Sequence, residues 1–237
     1  MGLAKLLDFI RLDKNNTKYS DCTIDTGGGN NLTAEHFADS GDDSHPLKND
    51  YAVYVNIPRT GGKAVVGYID PKNNQKAEAG DKRIYARNTD GEQVIEFWLK
   101  NNAEAVLEND KFTLTIKENG ETSLKNEKAD IVISESGDIS FKNEKADITA
   151  KNDGNITLNN ADADIKVNAD TSIELANNSG FLKIKPDGEV NINGAKITPD
   201  GEIITKAGIN VDKHTHSQPN DSYGNIEQDV LPPTNKV

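Results

Sequence analysis

An internal repeat with a period of seventeen is the feature of this 237-residue chain that most restricts its possible folds. The segments LKNEKADIVI, FKNEKADITA and LNNADADIKV begin at Leu124, Phe141 and Leu158, so they follow one another at equal intervals. Turn sequences recur in phase: ENG at 118–120, ESG at 135–137, NDG at 152–154 and PDG at 186–188, with Asp170-Thr171 in the same place without glycine. About six repeats occupy residues 95–196, and a fixed period of this kind predicts a repetitive fold.

Apolar and polar residues alternate within each repeat, as in Phe112, Leu114 and Ile116. A period of two places alternate side chains on the same face of a strand. Successive repeats align the apolar positions in columns, one being Leu107, Leu124, Phe141, Leu158, Leu175 and Ile192 and another Leu114, Ile131, Ile148, Ile165 and Leu182. Polar and charged residues fill the intervening positions and keep the opposite face hydrated. The pattern predicts a β-solenoid or β-helix.

Two architectures fit this repeat: one chain coiling on itself, or three chains forming a triangular β-prism. Each strand has only two or three inward apolar residues, and one whole column is Ala129, Ala146 and Ala163. A single-chain coil would therefore enclose little apolar volume, whereas three copies about a threefold axis would bury these small residues against their symmetry mates. The sequence favours the intertwined trimeric β-helix and leaves the single-chain solenoid open.

The remaining segments complete an all-β organisation. Short β-rich runs such as YAVYVNI and KAVVGYI are separated by the turn signals TGGGNN, RTGG and DPKNN, which predicts an OB-like barrel over 13–82. Residues 1–12 have apolar positions at helical spacing, at 3, 6, 7 and 10, and predict an amphipathic docking segment. The other expected divisions are a junction at 83–94, the repeat at 95–196, and an apex domain with a C-terminal tail at 197–237.

Composition argues against several classes of function. The formal charge of −12 disfavours binding to nucleic-acid phosphates, so no nucleic-acid partner is expected. The single cysteine, Cys22, excludes an intrachain disulfide framework and predicts a small buried apolar residue. The N-terminus is too short and too charged for a signal peptide, which indicates synthesis in the cytoplasm. No pair of carboxylates marks a hydrolytic cleft, so we expect neither an enzyme nor a small-molecule substrate.

His214 and His216 are the candidate metal ligands. If the strand continues through AGINVDKHTH, these two side chains project to the same side. Two imidazoles make a weak site, but three chains supply six nitrogens, enough for an octahedral iron(II), nickel or cobalt site. The other histidines, His36 and His45, fall in the predicted barrel region and are expected in loops or on its surface.

The arrangement resembles the central-spike, membrane-piercing proteins of contractile phage tails, the baseplate assembly protein V family. The resemblance is carried by the barrel region, by GDKRIYARNTDGEQVIEFWLKNN leading into the repeat, and by HTH at 214–216, which matches the family's H-x-H apex motif. It implies a homotrimer with one iron ion per trimer, held by His214 and His216 of all three chains. One departure from the family pattern is the Asn-, Asp- and Pro-rich segment at 217–237, which follows His216.

The same resemblance implies a mechanical function at the distal tip of a virion's tail. The barrels would dock on the tail hub or baseplate, and the spike would pierce the host's outer membrane. Two alternatives stay open: a trimeric receptor-binding tail fibre, and the needle of a related contractile secretion or bacteriocin system. The fibre would need aromatic residues to stack on saccharide, yet only Phe112, Phe141 and Phe181 are aromatic between 112 and 212.

Overall fold

A computed structural model describes residues 1–58 and 61–215, with the side chain of Lys14 excepted. All the regular secondary-structure elements in these ranges are strands, which confirms the all-β class for this part of the chain. None of the described residues forms a helix long and apolar enough to cross a membrane. The chain divides into two compact units, Met1–Glu96 and a second unit that begins at Phe97.

A closed barrel forms the larger part of the first unit. Its strands are β1 (Gly2–Lys14), β2 (Thr17–Asp25), β3 (Asn31–His36), β4 (Tyr51–Asn56) and β5 (Lys63–Ile69). They close in the order β1-β2-β3-β5-β4, and only the β3–β5 contact is parallel. The core consists of small and aliphatic residues: Ala4, Leu6, Cys22, Ile24, Ala34, Ala52 and Val65. The small barrel predicted from the turn signals is confirmed, and Cys22 is buried as expected.

The N-terminal segment is a barrel strand and not a separate docking segment. In β1, Leu6 is fully buried and Phe9 packs against the same core, although an ideal strand would place residues three apart on opposite faces. A β-bulge between Leu6 and Asp8 supplies the extra residue that restores Phe9 to the inside. The bulge therefore explains how Leu6 and Phe9 share the core, whereas Leu3 and Ile10 of the predicted apolar set are exposed.

Fifteen further strands follow one another in a single sheet, in chain order. They are β6 (Lys82–Arg87), β7 (Gln93–Leu99), β8 (Ala105–Asn109), β9 (Phe112–Ile116), β10 (Thr122–Asn126), β11 (Ala129–Ile133), β12 (Ile139–Asn143), β13 (Ala146–Ala150), β14 (Ile156–Asn160), β15 (Ala163–Val167), β16 (Ile173–Asn177), β17 (Gly180–Ile184), β18 (Val190–Ile192), β19 (Ala195–Ile197) and β20 (Ile203–Ile204). From β8 onward each strand pairs antiparallel with the next.

Each repeat is one antiparallel hairpin and not a turn of a coil. Residues 127–128 join β10 and β11 within one repeat, and residues 134–138 join β11 to β12, the first strand of the next repeat. Such short connections join antiparallel neighbours, whereas a coil of parallel strands needs longer crossovers. The predicted alternation within short strands is confirmed, but the predicted β-helix path is replaced by an antiparallel meander whose strands pair within the chain.

The longer turns of the repeats share a left-handed residue at the same position. Gly120, Gly137, Gly154 and Gly188 have φ between 86° and 92° there, while Thr171 has φ 71°. A β-branched residue in this region is strained because its Cβ approaches the backbone, and glycine avoids that cost. Ala103 occupies the equivalent position with φ 63°, so Thr171 is the one β-branched residue among these left-handed positions.

We predict that Thr171→Gly raises the free energy of unfolding by about 1 kcal/mol, because relief of left-handed strain exceeds the entropy cost of glycine. Thr149→Gly is the matched control: Thr149 lies in β13 without a positive φ, so the same change there should lower stability. Urea unfolding of the two variants measures both effects. A loss of stability in Thr171→Gly would show that the turn is not strained.

Candidate functional site

One face of the repeat sheet is apolar and exposed. Its central row joins cross-strand partners from β8 to β18: Leu107, Leu114, Leu124, Ile131, Phe141, Ile148, Leu158, Ile165, Leu175, Leu182 and Ile192. Six of these side chains are between 42% and 47% exposed: Phe141, Ile148, Leu158, Ile165, Leu175 and Ile192. Scattered apolar residues are normal on a protein surface, but a continuous row of this length marks an interaction site.

Two further rows flank the central one on the same face. The first is mostly aliphatic: Ile116, Thr122, Ile133, Ile139, Ala150, Ile156, Val167, Ile173, Ile184, Val190, Ile197 and Ile203. The second combines small residues with asparagines: Ala129, Asn143, Ala146, Asn160, Ala163, Asn177 and Gly180. Together the three rows form what we call the apolar face.

The asparagines of the small-residue row serve the turns. The side-chain oxygen of Asn143 accepts hydrogen bonds from the backbone N–H groups of Lys145 (2.8 Å) and Ala146 (3.0 Å), and Asn160 and Asn177 do the same in the next two repeats. Asparagine stabilises turns in this way because its short side chain can replace a backbone acceptor. These residues therefore fix the two-residue turns, and the face next to them stays small and apolar.

The opposite face carries charges of alternating sign. Lys125 lies opposite Asp130, which lies opposite Lys142, and Lys142 in turn lies opposite Asp147. Cross-strand pairs of opposite charge stabilise a sheet by a few tenths of a kcal/mol each, and exposed ones remain hydrated. This face is suited to water, so the two faces of the sheet have different roles.

His214 lies after the last β-bridge, where the chain turns. The bridge joins Ile204 to Asn210, and residues 211–213 form a turn, so the strand expected through AGINVDKHTH ends before the histidines. The Nδ1 of His214 lies 2.7 Å from the Val211 carbonyl oxygen, and its backbone N–H donates to the Asn210 carbonyl. His216 is outside the described residues. Within residues 1–58 and 61–215 of one chain, no three His, Cys, Asp or Glu side chains are grouped to hold a metal.

The other two histidines pack in an aromatic cluster of the barrel. The ring of Phe9 lies 5.4 Å from that of His36 and 4.5 Å from that of His45, and His36 is 5.1 Å from Tyr68. Burial lowers the pKa of His36, with a smaller opposing effect from Asp42. The expectation that these histidines occupy loops or the surface is therefore incomplete, because His36 is part of β3 and packs against the core.

A buried ionic cluster in the first unit was missed at the level of sequence. Arg87 donates two hydrogen bonds to Asp50, at 2.6 and 3.0 Å, and a third to Asp70 at 2.8 Å. Tyr85 donates to the other oxygen of Asp70 at 2.7 Å, and the Leu47 N–H donates to Asp50 at 3.0 Å. The side chains of Asp50, Asp70 and Arg87 are only 3%, 10% and 15% exposed.

The cluster stabilises the charged forms of Asp70 and Arg87. Burial alone would raise the pKa of Asp70, but the hydrogen bonds from Tyr85 and the Lys72 N–H, with the Arg87 charge, lower it below its usual value. Hydrogen bonds to Asp50 raise the pKa of Arg87. Burial and the neighbouring Asp70 raise the pKa of Tyr85 to about 12, so its hydroxyl stays protonated as a donor.

No local pattern signals this cluster, because its members are far apart in the chain. Arg87 is 37 residues from Asp50 and 17 from Asp70. Asp70 precedes Pro71 and has the pattern of an ordinary turn residue. The acidic residues that drew attention instead, Asp42 and Asp43, are exposed.

Comparison with known proteins gives no family assignment. No family model matches the chain, and no curated protein matches it. Among solved structures, the SAS-4 (dCPAP) TCP domain of Drosophila melanogaster, in complex with a proline-rich motif of Ana2 (dSTIL), is 15% identical, with a TM-score of 0.38 over 58% of this chain and 96% of that one. The TCP10 domain of Danio rerio CPAP, in complex with a STIL peptide, is 15% identical, with a TM-score of 0.36 over 76% and 98%. These values carry no activity or partner over to this chain.

The structural neighbours correct the resemblance drawn from sequence. They are TCP domains of CPAP and SAS-4, not contractile-tail spikes, so membership of the baseplate assembly protein V family is wrong. Three expectations that depended on this resemblance are also wrong. They are the piercing of an outer membrane, the tail-hub and baseplate partners, and the virion location. The sequence pattern gave a wrong family because the repeat specifies only strand length and turn spacing. A hairpin meander satisfies both as well as a β-helix does, and H-x-H is a short motif.

We predict that Arg87→Met lowers the free energy of unfolding of the first unit by about 3–5 kcal/mol, since two buried carboxylates lose their cation. Arg11→Met is the matched control, because Arg11 pairs with the exposed Asp43 at 2.9 Å and should change stability by less than about 1 kcal/mol. Denaturant unfolding of both variants measures the difference. Equal effects would mean that the buried cluster contributes no more than a surface pair.

Proposed function

We propose that this chain is a non-catalytic structural protein whose repeat sheets assemble with further copies of the chain through their apolar faces. The observation that carries the proposal is the exposed central row of that face. Full burial of a large aliphatic side chain contributes roughly 2 kcal/mol, so covering its exposed part contributes roughly 1 kcal/mol per residue. A row of this length supplies ample free energy for association.

The period of the face favours a second copy as its partner. Side chains recur every two strands, a distance of about 9.6 Å at a strand spacing of about 4.8 Å. A partner must match this spacing along the whole sheet to fill the gaps between the rows. Another copy of the chain has the same period without any further adjustment.

Strand length supports three copies arranged as a prism, with one sheet on each side. The repeat strands have five residues, which span about 17 Å. In a triangle with sides of about 17 Å the centre lies about 5 Å from each side, which is half the usual face-to-face spacing of about 10 Å between sheets. Inward side chains of ordinary size fill such an interior.

The two flanking rows of the apolar face support the same arrangement. At each corner of a triangular prism, the edge of one sheet meets the edge of the next at a narrow angle. The small-residue row, with Ala146 and Ala163, provides room for the aliphatic row of a neighbour, with Ile156 and Val167. Large side chains at both edges would be overpacked.

A metal site at the end of the prism belongs to this proposal. His214 fits the role, because a ligand histidine commonly donates one ring N–H to a carbonyl, as Nδ1 does to Val211, and uses the other nitrogen for the metal. His214 and His216 of three chains would provide six nitrogens for an iron(II) ion, one per trimer, or for another divalent transition metal. Such an ion would supply a cross-link between the chain ends.

The charges of the first unit also favour a structural role. Asp70 is held ionised by hydrogen bonds from Tyr85 and Arg87, which makes it a poor proton donor. A general acid or base works best with a pKa near the working pH, and the lowered pKa of Asp70 moves it away from that range.

We expect the double variant Ile148→Asp, Leu158→Asp to be monomeric, because it places charges at two facing positions of the central row. The matched control is Thr149→Asp, Thr157→Asp, which changes facing residues of the same two strands on the polar face and should keep the oligomer. Analytical ultracentrifugation reports the state of each protein. A monomeric wild type, or equal dissociation of both variants, would refute assembly through the apolar face.

For the metal, we expect native mass spectrometry of protein purified without chelator to show one transition-metal ion per three chains. His214→Ala with His216→Ala should remove the ion and leave the trimer, since the apolar face holds the chains together. A metal-free wild-type trimer would refute the metal site alone.

A further inference from the structure

The barrel of the first unit closes along a short seam between β3 and β5. The parallel register there joins only Glu35 to Ala64 and His36 to Val65, whereas every antiparallel register of the barrel is longer. The Phe37 N–H adds one hydrogen bond across the seam, to the Val65 carbonyl at 3.0 Å. Parallel pairing is also slightly less stable per residue than antiparallel pairing. We therefore expect local opening of the barrel to begin at this seam.

The ring of His36 supports the seam by packing across it. Its centroid lies 5.1 Å from that of Tyr68 in β5 and 5.4 Å from that of Phe9 in β1. The centroids of Phe9 and Tyr68 lie 6.4 Å apart, so the three rings form one cluster. Aromatic rings at such distances attract one another. Packing of the rings therefore joins β3 to its neighbours in addition to the few backbone pairs.

The charged groups near this ring come from β1 and from the segment before β4. Ser20 of β2 lies opposite His36, and Arg11 of β1 lies opposite Ser20 in the same row. Arg11 pairs with Asp43 at 2.9 Å, so the two charges largely offset each other. The exposed His45 packs in the same aromatic cluster. None of these groups provides a direct ionic partner for a protonated His36.

The other titratable groups near the ring are neutral, with one exception. Burial raises the pKa of the Tyr68 hydroxyl and of the Cys22 thiol, whose Sγ lies 3.0 Å from the Tyr68 oxygen, so both stay protonated. The exception is Asp42, which favours a charged His36, but burial has the larger effect and lowers the pKa of His36. The packing around His36 therefore suits its neutral form.

We propose that protonation of His36 opens the β3–β5 seam, so that the barrel is closed at neutral pH and loosened in mild acid. A charged imidazole is better hydrated when β3 moves away from the rings of Phe9 and Tyr68. In the opened strand His36 titrates near the ordinary value of about 6.5, whereas its pKa in the closed barrel is lower. The stabilisation of the seam is therefore complete above about pH 6.5, and it is lost as the pH falls from there through the closed-state pKa.

Opening of the seam frees the backbone edges of β3 and β5. Free strand edges carry unpaired N–H and C=O groups that can pair with a further strand. Mild acid would thus convert a closed barrel into one with an available edge. The device lies within the first unit and does not depend on assembly of the repeat sheets.

The test is hydrogen–deuterium exchange, followed by mass spectrometry, on the full-length protein between pH 7 and pH 5. Protection is corrected for the intrinsic pH dependence of exchange. We expect the peptide that contains Phe37 to lose protection by up to about tenfold per pH unit below about pH 6.5, the effect of one proton. Peptides from the β1–β4 register serve as the reference and should keep their protection. Constant protection at Phe37, or an equal loss in the reference peptides, overturns the proposal.

Two variants assign the effect to one histidine. His36→Phe keeps a ring in the cluster and removes the titrating group, so protection at Phe37 should no longer depend on pH. His45→Phe is the matched control, because it makes the same change at an exposed ring of the same cluster and should leave the pH dependence in place. The opposite pattern would assign the effect to His45 and refute the role of His36.

A measurement on the unaltered protein covers the case in which His36→Phe does not fold. NMR titration of the labelled histidine rings gives the pKa of His36 directly. A value below about 6.5 is expected, because the closed barrel favours the neutral ring. A value at or above 6.5 contradicts the proposal, since it would mean that the aromatic rings attract the charged imidazole more than burial disfavours it.

Discussion

A sheet of one layer cannot bury its own apolar face, and the repeat region depends on how that constraint is met. Hydrogen bonds between neighbouring strands satisfy the backbone, but they lie in the plane of the sheet and cover neither surface. The polar face is compatible with water because its rows alternate lysine with acidic residues, as in Lys125, Asp130 and Lys142. The apolar face has no such compensation, so burial there requires a second layer that the sheet itself does not provide.

The same constraint explains the regularity of the hairpins. Cross-strand partners lie on the same face of a sheet, so a register that pairs Leu124 with Ile131 and Ile131 with Phe141 keeps the central row on one side. A slip of one residue would exchange the two faces. Asparagine at the short turns and a left-handed residue at the longer ones hold each hairpin in the required register. Turn chemistry and burial therefore favour the same structure.

Local sequence patterns predicted much of this fold, but they did not predict contacts between residues that are far apart in the chain. Strand alternation, the turn positions and the apolar rows depend on neighbours in sequence, so they could be predicted from the repeat. The course of β1 was misjudged because a bulge changed its period, and the cluster of Asp50, Asp70 and Arg87 was invisible because its partners are brought together only by tertiary folding. The strand predicted through His214 ended early because the chain turns at 211–213. A family likeness drawn from local patterns had the same weakness, since different proteins can share the same strand periodicity.

The single hairpin that makes up each repeat also gives the chain an adjustable length. Because one unit begins and ends in the same register, an in-frame duplication or deletion of one repeat would add or remove two strands, or about 9.6 Å, without exchanging the faces. Such changes are available through ordinary recombination between near-identical segments such as those at Leu124 and Phe141. The dimension of the sheet along its stacking direction can therefore evolve in fixed steps, while the cross-section stays the same.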